Sequence, residues 1–456
     1  MLRALVGMTF ALALSLSATQ AQVTVVISAD KPADAGRPFR TTVAYHNYGT
    51  TAVNSQIVDV TLPPSFTFKS APDFCSTSGA DVICAIATIP PQGPGQHFDI
   101  EVIAPDILTG LSATVRATIT GGGSDSDPVT VARTFVVANK DDASPGSLRA
   151  AINDANAGCA DGFPCTIAFR LDSPDEHGVY TIVPKSPLPT ISGQALRVDG
   201  TTQTRGASGD TNPNGPEVFI DGSSAGSGDG LALGRCGIEV RGLTIGNFAG
   251  TGIHVLHSNC GRNTIDGNYL GVQPDGIHAA PNERGVVADQ AVTDIYQNLI
   301  SGNRRSGVFL VARPADPFFH EQSVSSLISG NTIGLDRTLQ PLGNGASGIY
   351  VAGSAYVIAN YIAFNHDFGI DVADTASDVD AQWNSIFANW QIGIAIGGGG
   401  PAVTVRSARY YAASNRTHIE LVPAPESGNI NPLIDVYASD APNALTGFGD
   451  GQYYLG

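Results

Sequence analysis

A repeating order of polar and apolar positions runs through the second half of the chain. An Asn is followed by an apolar residue at the second position, another Asn at the fifth, a Gly at the ninth, and Ile or Val at the tenth. Complete copies begin at Asn298, Asn360 and Asn384. Partial copies run from Asn263 to Asn268 and, with Ser in place of the first Asn, from Ser326 to Asn331. Such a period predicts a stack of similar structural units.

The repeated Gly sets the length of one unit. Gly residues at positions 252, 285, 307, 348, 369 and 393 are separated by 33, 22, 41, 21 and 24 residues. The shorter separations suit a coil of three short strands joined by turns, and stacked coils lie about 4.8 Å apart. The two longer separations indicate insertions. We expect the repeated Asn residues to stack into amide hydrogen-bond ladders at the turns, so their predicted role is structural.

Residues 22–137 have a different pattern, in which short β-branched segments alternate with Pro and Gly turns. The predicted strands are Val23 to Ile27, Thr41 to Tyr45, Val58 to Leu62, Asp99 to Ile103 and Leu111 to Ile119. Regularly spaced strands of this kind are typical of a β-sandwich. This first region is therefore predicted to be a separate domain.

One amphipathic helix is predicted between the two regions, over residues 145–156. Ser144 is its expected N-cap, and Pro145 suits the first turn. The apolar residues that match the helical period are Leu148, Ala151, Ile152 and Ala155. A short helix with one apolar face must cover another part of the structure.

The sandwich region resembles DUF11, an Ig-like domain of bacterial surface proteins. The residues that carry the resemblance are Asn47-Tyr48-Gly49, Val58 to Pro63, Phe66, Cys75, Cys84 and the turn from Pro90 to Gly95. In that family the domain is a repeated stalk or spacer without known catalysis. The resemblance therefore implies that this domain presents the repeat region to its surroundings.

The helix and the repeat resemble secreted right-handed parallel β-helix proteins with the pectin-lyase-like fold. The segment 146–156 matches their "GSLRxAIxxAN" opening, whose helix caps the first coil. The insertions at 271–285 and 334–344 look like the "IGxDxxGxxxxGN" excursions of the same family. The resemblance implies a single-stranded solenoid over residues 138–425. Residues 426–456 resemble the start of a C-terminal β-sandwich.

The amino-acid composition excludes some fold classes and some classes of binding partner. The chain has 53 Gly and 28 Pro among 456 residues and only 14% charged residues, which excludes a mostly helical fold. Its net charge of -17 argues against nucleic acid as a partner, because phosphate binding needs clustered Lys and Arg. The predicted fold class is therefore all-β, with an Ig-like sandwich and then a capped parallel β-helix. We expect a monomer.

The first 21 residues predict export. Arg3, the apolar stretch from Ala4 to Leu16 and the small residues ending near Ala21 are typical of a secretory signal peptide. No other apolar run approaches membrane length, so no transmembrane segment is expected after cleavage. The predicted location is secreted or at the bacterial cell surface.

Export favours disulfides for the six cysteines over metal thiolates. The expected pairs are Cys75 with Cys84, Cys159 with Cys165, and Cys236 with Cys260. The last pair lies one coil apart, which matches the Cα separation that a disulfide tolerates. The spacings do not fit a zinc site.

Known catalytic motifs are missing from the sequence. It has no Gly-x-Ser-x-Gly elbow, no His-Glu-x-x-His and no phosphate-binding Gly-Lys-Ser/Thr loop. The ordered Asn-Thr-Asp, Asp-Asp, His-Gly and Arg-Ile-Lys set of polygalacturonases is also incomplete. No consistent cluster of carboxylates indicates a calcium-dependent lyase.

Two surface rows remain as candidate binding sites. The residue after each Gly-Ile/Val pair should point outward, and we call these residues the outer row. The outer row is His254, Val287, Phe309, Tyr350, Asp371 and Ala395. The residues after the second Asn form another row: Arg304, Arg305, His366, Asp367, Trp390 and Gln391. Aromatic, Arg and acidic residues in rows suit recognition of a sugar chain, although scattered exposed aromatics and solvated charges are also common.

The predicted glycan-binding residues are taken from both rows. They are Arg304, Arg305, Phe309, Tyr350, His366, Asp367, Asp371 and Trp390. A weaker hypothesis assigns Ca²⁺ to Asp371, Asp374, Asp378 and Asp380, and no other cofactor is expected. Carboxylates at such turn spacing are more often simply solvated.

The expected function is binding of a polysaccharide or cell-surface glycan by an exported, non-catalytic protein, as in adhesion. The alternative is a carbohydrate-active enzyme, a polysaccharide lyase or glycoside hydrolase with an unfamiliar site. A third possibility, an autotransporter passenger, requires a C-terminal membrane barrel that this sequence does not contain.

Overall fold

A computed structural model describes residues 23–159, 163–204, 209–256, 261–311, 325–376, 379–391 and 393–397, together with the backbone of four strands between 403 and 454. Strands make up 45% of the structure and helices 5%, which confirms the all-β class. The chain forms two compact units that divide between Val131 and Ala132.

The first unit contains two antiparallel sheets. One has the order β1, β2, β7, β4, and the other has the order β5, β6, β3, β8, β9. The strands are β1 Val23–Ala29, β2 Pro38–Asn47, β3 Val53–Thr61, β4 Thr67–Ser70, β5 Cys75–Ser78, β6 Asp81–Ile89, β7 Gln96–Ile103, β8 Leu111–Ile119 and β9 Ser124–Val131. Alternate residues of both sheets form one core, in which Val43, Val58 and Ile100 are fully buried. The alternation of apolar and polar residues is what places one face of each sheet inward.

The second unit is built from three parallel sheets whose strands alternate along the chain. The first parallel sheet contains β10 Arg133–Val137, β11 Cys165–Phe169, β13 Leu196–Asp199, β16 Glu239–Arg241, β19 Asn263–Asp266, β22 Thr293–Tyr296, β25 Ser326–Ser329, β28 Ala355–Ile358 and β31 Val379–Gln382. The second contains β12 Tyr180–Ile182, β14 Val218–Asp221, β17 Thr244–Gly246, β20 Tyr269–Leu270, β23 Leu299–Ile300, β26 Thr332–Ile333, β29 Tyr361–Ala363 and β32 Ser385–Phe387. The third contains β15 Leu231–Leu233, β18 Ile253–Val255, β21 Val286–Asp289, β24 Val308–Val311, β27 Ile349–Val351, β30 Ile370–Val372 and β33 Ile394–Ile396.

This alternation gives a solenoid-like unit, because each coil from β13 onward adds one strand to each sheet. Strand β10 already pairs in parallel with β11, whereas the sequence placed residues 133–137 in the preceding sandwich. The inward side chains are mostly Ile, Val and Leu and form one continuous core. Near-continuous β-branched residues are typical of buried parallel strands.

In the later coils, two corners are held by ladders of buried Asn side chains. At the first corner, between the first and second parallel sheets, the ladder is Asn268, Asn298, Asn331, Asn360 and Asn384. At the second corner, between the second and third parallel sheets, the ladder is Asn303, Asn344, Asn365 and Asn389. Each step is an Nδ2 to Oδ1 hydrogen bond of 2.9 to 3.1 Å. The predicted structural role of the repeated Asn residues is confirmed.

The predicted alignment of the partial repeats is wrong. Asn268 and Asn331 were matched to the second Asn of the repeat, but both lie in the first-corner ladder. Asn263 and Ser326 instead lie one strand earlier, where Asn263 is the register partner of Thr293. The excursions that come after Asn268 and Asn331 delay the second Asn of those coils, and this delay hid the alignment.

Backbone conformation explains the residue before most of the ladder Asn residues. Ala359, Phe364 and Ala388 have φ of 57°, 58° and 52°, and Trp383 has 56°. The corner is therefore a left-handed residue followed by Asn.

The repeated Gly is required for a different reason, the close approach of neighbouring coils. A Cβ at Gly369 would lie 2.5 Å from the Gly393 carbonyl oxygen.

A short helix covers the core at the start of the solenoid-like unit. Helix α1, Leu148–Gly158, buries the four apolar residues that the sequence indicates, and they join the core. The N-cap is Ser147, whose side chain accepts a hydrogen bond from the Ala150 N–H, so the prediction of Ser144 was wrong. Ser144 donates instead to the Asp141 carboxylate. The other helical segments are α2, Thr201–Thr204, and a 3-10 turn, Gly222–Ser224.

Both insertions leave the coil at the second corner and return to it. The first is closed by an antiparallel bridge between Val272 and Ala279, and the second by a bridge between Leu335 and Pro341. Arg337 joins them, since its backbone N–H and its Nε donate to carbonyls of the first excursion, Gly276 and Asp275. Residues 312–324, which also lengthen one coil, lie outside the described residues.

The disulfides Cys75–Cys84 and Cys159–Cys165 are confirmed. Cys236 is disulfide-bonded, and its predicted partner Cys260 lies outside the described residues. No helix in the described part of the chain has the length and apolar character needed to span a membrane.

Near the C-terminus, only antiparallel strand pairs are described. They are β34 Val403–Tyr411 with β35 Arg416–Pro423, and β36 Tyr437–Ala438 with β37 Tyr453–Tyr454. The described parallel strands therefore end with β33, before the predicted limit at residue 425. Most of the predicted sandwich segment, 426–456, lies outside the described residues, as does the predicted signal peptide.

We expect Asn331→Ala to destabilise the solenoid-like unit by about 2–4 kcal/mol, because it leaves two buried donors of Asn298 without an acceptor. Urea unfolding monitored by circular dichroism measures the change. The control is Asn153→Ala on the exposed face of α1, which should shift stability by about 0.5 kcal/mol or less. Equal midpoints for the two variants would contradict a stabilising ladder.

Candidate functional site

The outer row is formed by one residue from each strand of the third parallel sheet. In register order, Ala232 of β15 precedes the predicted row, and the row itself is His254, Val287, Phe309, Tyr350, Asp371 and Ala395. In β24, β27 and β30 the neighbours along the strand are buried, so Phe309, Tyr350 and Asp371 face outward as the repeat predicts, whereas Val287 of β21 is buried. Adjacent members are about 4.8 Å apart, the spacing of paired strands.

The centre of the outer row is a stack of three side chains. Phe309 and Tyr350 are parallel, with ring centroids 4.5 Å apart and an interplanar angle of 10°. The Arg284 guanidinium carbon lies 4.7 Å from the Phe309 centroid. Phe309 therefore contacts both Arg284 and Tyr350, in a cation–π and stacked arrangement. Tyr350 is the end of this stack and is half-exposed.

Arg284 is a site residue that the sequence prediction missed. It lies in the coil below Phe309, two positions after Asn282, at the return of the first excursion. Asn282 corresponds to Asn303, because the Arg304 N–H donates to the Asn282 carbonyl. Aligning these two Asn residues would have matched Arg284 with Arg305 and revealed it.

The two predicted arginines of the second corner are both engaged. The Arg305 Nε lies 2.6 Å from a Glu283 carboxylate oxygen, and 60% of the Arg305 side chain remains exposed. The Arg304 guanidinium donates to the Phe248 carbonyl at 2.9 Å, which ties this corner to an earlier coil. Arg305 is the more available of the two for a ligand.

An exposed aromatic platform lies farther along the second corner. Trp390 is 59% exposed and stacks on His366, with centroids 6.4 Å apart and an angle of 20° between the rings. His366 is held by its Nδ1, which lies 3.1 Å from the Asn344 carbonyl oxygen. The imidazole lies nearly parallel to the indole on one side, and most of the Trp390 side chain is open to solvent.

Two carboxyls accompany the aromatic residues. Burial raises the pKa of Asp367, although a hydrogen bond from Ser347 opposes the rise. Burial and then the charge of Asp367 raise the pKa of Asp371. Both carboxyls therefore hold a proton more tightly than an ordinary Asp, and each can accept or, when protonated, donate a hydrogen bond to a ligand hydroxyl.

His254, at the other end of the outer row, belongs to a fixed pair. Its Nδ1 lies 2.8 Å from Asp229, which also accepts from the Thr251 backbone N–H at 2.7 Å. Burial would raise the pKa of Asp229, but the hydrogen bonds from His254 and Thr251 bring this pKa below its usual value. Asp229 thus remains ionised and orients the imidazole.

The Ca²⁺ candidates are spread over different sheets. Asp371 lies in β30 of the third parallel sheet, whereas Asp380 lies in β31 of the first and accepts a hydrogen bond from Gln382. Asp374 is in the turn after β30, and Asp378 lies outside the described residues. Among the residues that the structure describes, no group of three or more His, Cys, Asp or Glu side chains could hold a metal ion.

No model of a known protein family matches the chain, and no curated protein matches it. It is similar to a solved DUF4466 family protein from Parabacteroides merdae, at 10% identity and a TM-score of 0.18, over 25% of this chain and 46% of that one. It is also similar to the Pseudomonas fluorescens alkylpurine DNA glycosylase AlkC bound to DNA, at 16% identity and a TM-score of 0.15, over 24% and 31%. The chain spans less than half the length of either, and such low scores support no conclusion about fold or function.

We expect Asp371→Asn to raise the thermal midpoint at pH 7 and to have little effect near pH 3. The pKa of Asp371 is higher in the folded state, so folding stability is lost as the pH rises through that pKa. Neutral Asn removes this loss. Scanning calorimetry at the two pH values tests it, with Asp154→Asn on the exposed face of α1 as the control. A gain of equal size at both pH values would exclude the charge as its cause.

Proposed function

We propose that the chain is an exported, non-catalytic protein that binds a polysaccharide or a cell-surface glycan through the outer row and the second corner. In this proposal the solenoid-like unit is a right-handed parallel β-helix, and the first unit is an Ig-like, DUF11-like spacer that presents it. The two confirmed disulfides support an oxidising location such as the cell surface.

The observation that carries the proposal is the order of side chains along the outer row. Arg284 covers Phe309, Phe309 stacks on Tyr350, and Asp371 is the register partner of Tyr350. A flat ring flanked by hydrogen-bonding groups suits a sugar, which has an apolar C–H face and a rim of hydroxyls. The regular coil spacing extends such contacts along a chain of sugars.

Two aromatic residues are best placed to receive a sugar ring. Phe309 has Arg284 on one side and Tyr350 on the other, so it acts mainly as a support. Tyr350 ends its stack, and Trp390 has His366 as its one ring neighbour among the described residues. These rings are rigid and bury a large apolar area on binding, which favours affinity at low entropy cost.

The experiment measures binding of the mature chain to a glycan array and to cells. Trp390→Ala and Tyr350→Ala should each weaken binding of the selected glycan by about tenfold or more, since central aromatic contacts dominate interfaces. Trp383→Ala is the matched control, because Trp383 is 49% exposed but lies at the first corner. Silence on both glycans and cells would refute the proposal, and so would equal losses in all three variants.

One observation favours a second candidate, a carbohydrate-active enzyme. Asp367 and Asp371 both have a raised pKa, and the charge of Asp367 contributes to the rise at Asp371, as in the carboxyl pair of a glycosidase. Incubation with acidic and neutral polysaccharides, and then assays of unsaturated products and reducing ends, separates the candidates. Turnover that Asp367→Asn abolishes would replace the binding-only function with an enzymatic one.

A further inference from the structure

Arg284 is a half-buried guanidinium for which the described residues supply no hydrogen-bonding or ion-pairing partner. Its Nε is buried and makes no hydrogen bond, and no carboxylate of the described residues lies within ion-pair distance of the side chain. Its close contact is the face of Phe309. An N–H group removed from water without an acceptor is costly, and the Nε–H of Arg284 is such a group.

Three other arginines of the solenoid-like unit form ion pairs. Arg197 bonds Glu239, Arg241 bonds Asp199, and Arg262 bonds Asp294. These ion pairs show how the unit normally satisfies a guanidinium that lies against its surface. Arg284 departs from that arrangement.

A second positive charge adds to the cost at Arg284. Arg305 lies nearby and has its own partner in Glu283. Burial and then the charge of Arg305 lower the pKa of Arg284, while Glu283 opposes this effect. The neighbouring charge makes the uncompensated guanidinium still less favourable, and an anion bound there would relieve both costs.

Neighbouring aromatic side chains restrict the position of the Arg284 guanidinium before a ligand binds. Contact with Phe309, which is itself backed by Tyr350, restricts the side chain. A guanidinium offers a planar fork of donors that matches the two oxygens of a carboxylate or a sulfate, and such charge-assisted pairs are stronger than neutral ones. Restriction before binding reduces the entropy lost on binding.

We propose that Arg284, assisted by the positive charge of Arg305, binds a carboxylate or sulfate substituent of a glycan whose neighbouring sugar contacts Tyr350. This inference rests on the proposed glycan-binding function and narrows its ligand to acidic glycans. Asp371, on the far side of Tyr350 from Arg284, disfavours a second anion there. The outer row therefore selects a ligand with its charge at the Arg284 end and hydroxyl groups at the Asp371 end.

The test compares charged and neutral members of matched polymer pairs. The probes are dextran sulfate against dextran, and polygalacturonate against its methyl ester, with binding to the full mature chain measured by calorimetry. We expect wild type to bind the charged member of at least one pair about tenfold or more tightly than the neutral member, and added salt to weaken that preference. The pair that shows the preference identifies sulfate or carboxylate as the group bound.

Three variants separate recognition of the anion from general damage. Arg284→Gln should abolish the preference for the charged member, and Arg284→Lys should keep only part of it, since ammonium is a point charge without the fork. Arg235→Gln is the control, because Arg235 is an exposed arginine at another turn of the unit. Thermal midpoints close to that of wild type confirm that each variant is folded.

Each outcome bears on the inference. Equal binding of charged and neutral polymers by wild type would overturn the inference and leave the proposed function standing. A preference that survives Arg284→Gln would also overturn it, because the anion would then be bound elsewhere. Failure of wild type to bind any probe, together with silence on the array and on cells, would overturn both. Tyr350→Ala should weaken binding of both charged and neutral polymers, because both place a sugar ring against Tyr350.

Discussion

The amide ladders at two corners of the coil are the interaction on which the solenoid-like unit depends. A coil that turns between parallel sheets exposes backbone groups to which no sheet hydrogen bond reaches, and burying them unpaired is costly. An Asn side chain can satisfy these groups because it both donates and accepts hydrogen bonds. Asn331 donates to the Ile295 carbonyl and to Asn360 and accepts from Asn298. The same side chain therefore closes its own corner and joins it to the coils on either side. A shorter Ser or an acidic Asp could not supply both roles.

The regularity of the corners has a direct effect on the surface. Because each coil leaves its second corner at the same place, the next strand begins in the same register, and its outward residue falls into the outer row. Phe309 and Tyr350 can stack at 4.5 Å only because β24 and β27 are neighbours in strict register. At the tight corners, the residue before the Asn adopts the left-handed conformation. Trp383 is such a residue, and its side chain projects into solvent. The ladders thus set both the core and the arrangement of exposed side chains.

The repeat predicts the coil, the ladders and the outer row, and the cysteine spacing predicts two disulfides, because each depends on spacing along the chain. Spacing does not predict features that depend on contacts between coils of unequal length. The excursions moved the second Asn of two coils, so Asn268 and Asn331 were misaligned and Arg284 was not recognised beside Phe309. Ser147 rather than Ser144 is the N-cap, because the helix begins at Leu148 and the N-cap is the residue directly before it. The ligand depends on side-chain chemistry rather than on periodicity.

The excursions show where the chain is free to change. Each excursion departs after a strand of the second parallel sheet and ends at an Asn of the second corner, Asn282 or Asn344. The packing of the core therefore does not depend on the length of the excursion. Evolution can lengthen, shorten or replace such a loop without altering a strand register. The loops also lie beside the second corner, next to the arginines and aromatics described above. A family built on this framework could therefore diversify its ligands by exchanging loops over a constant row, much as antibody domains vary loops over a constant sandwich.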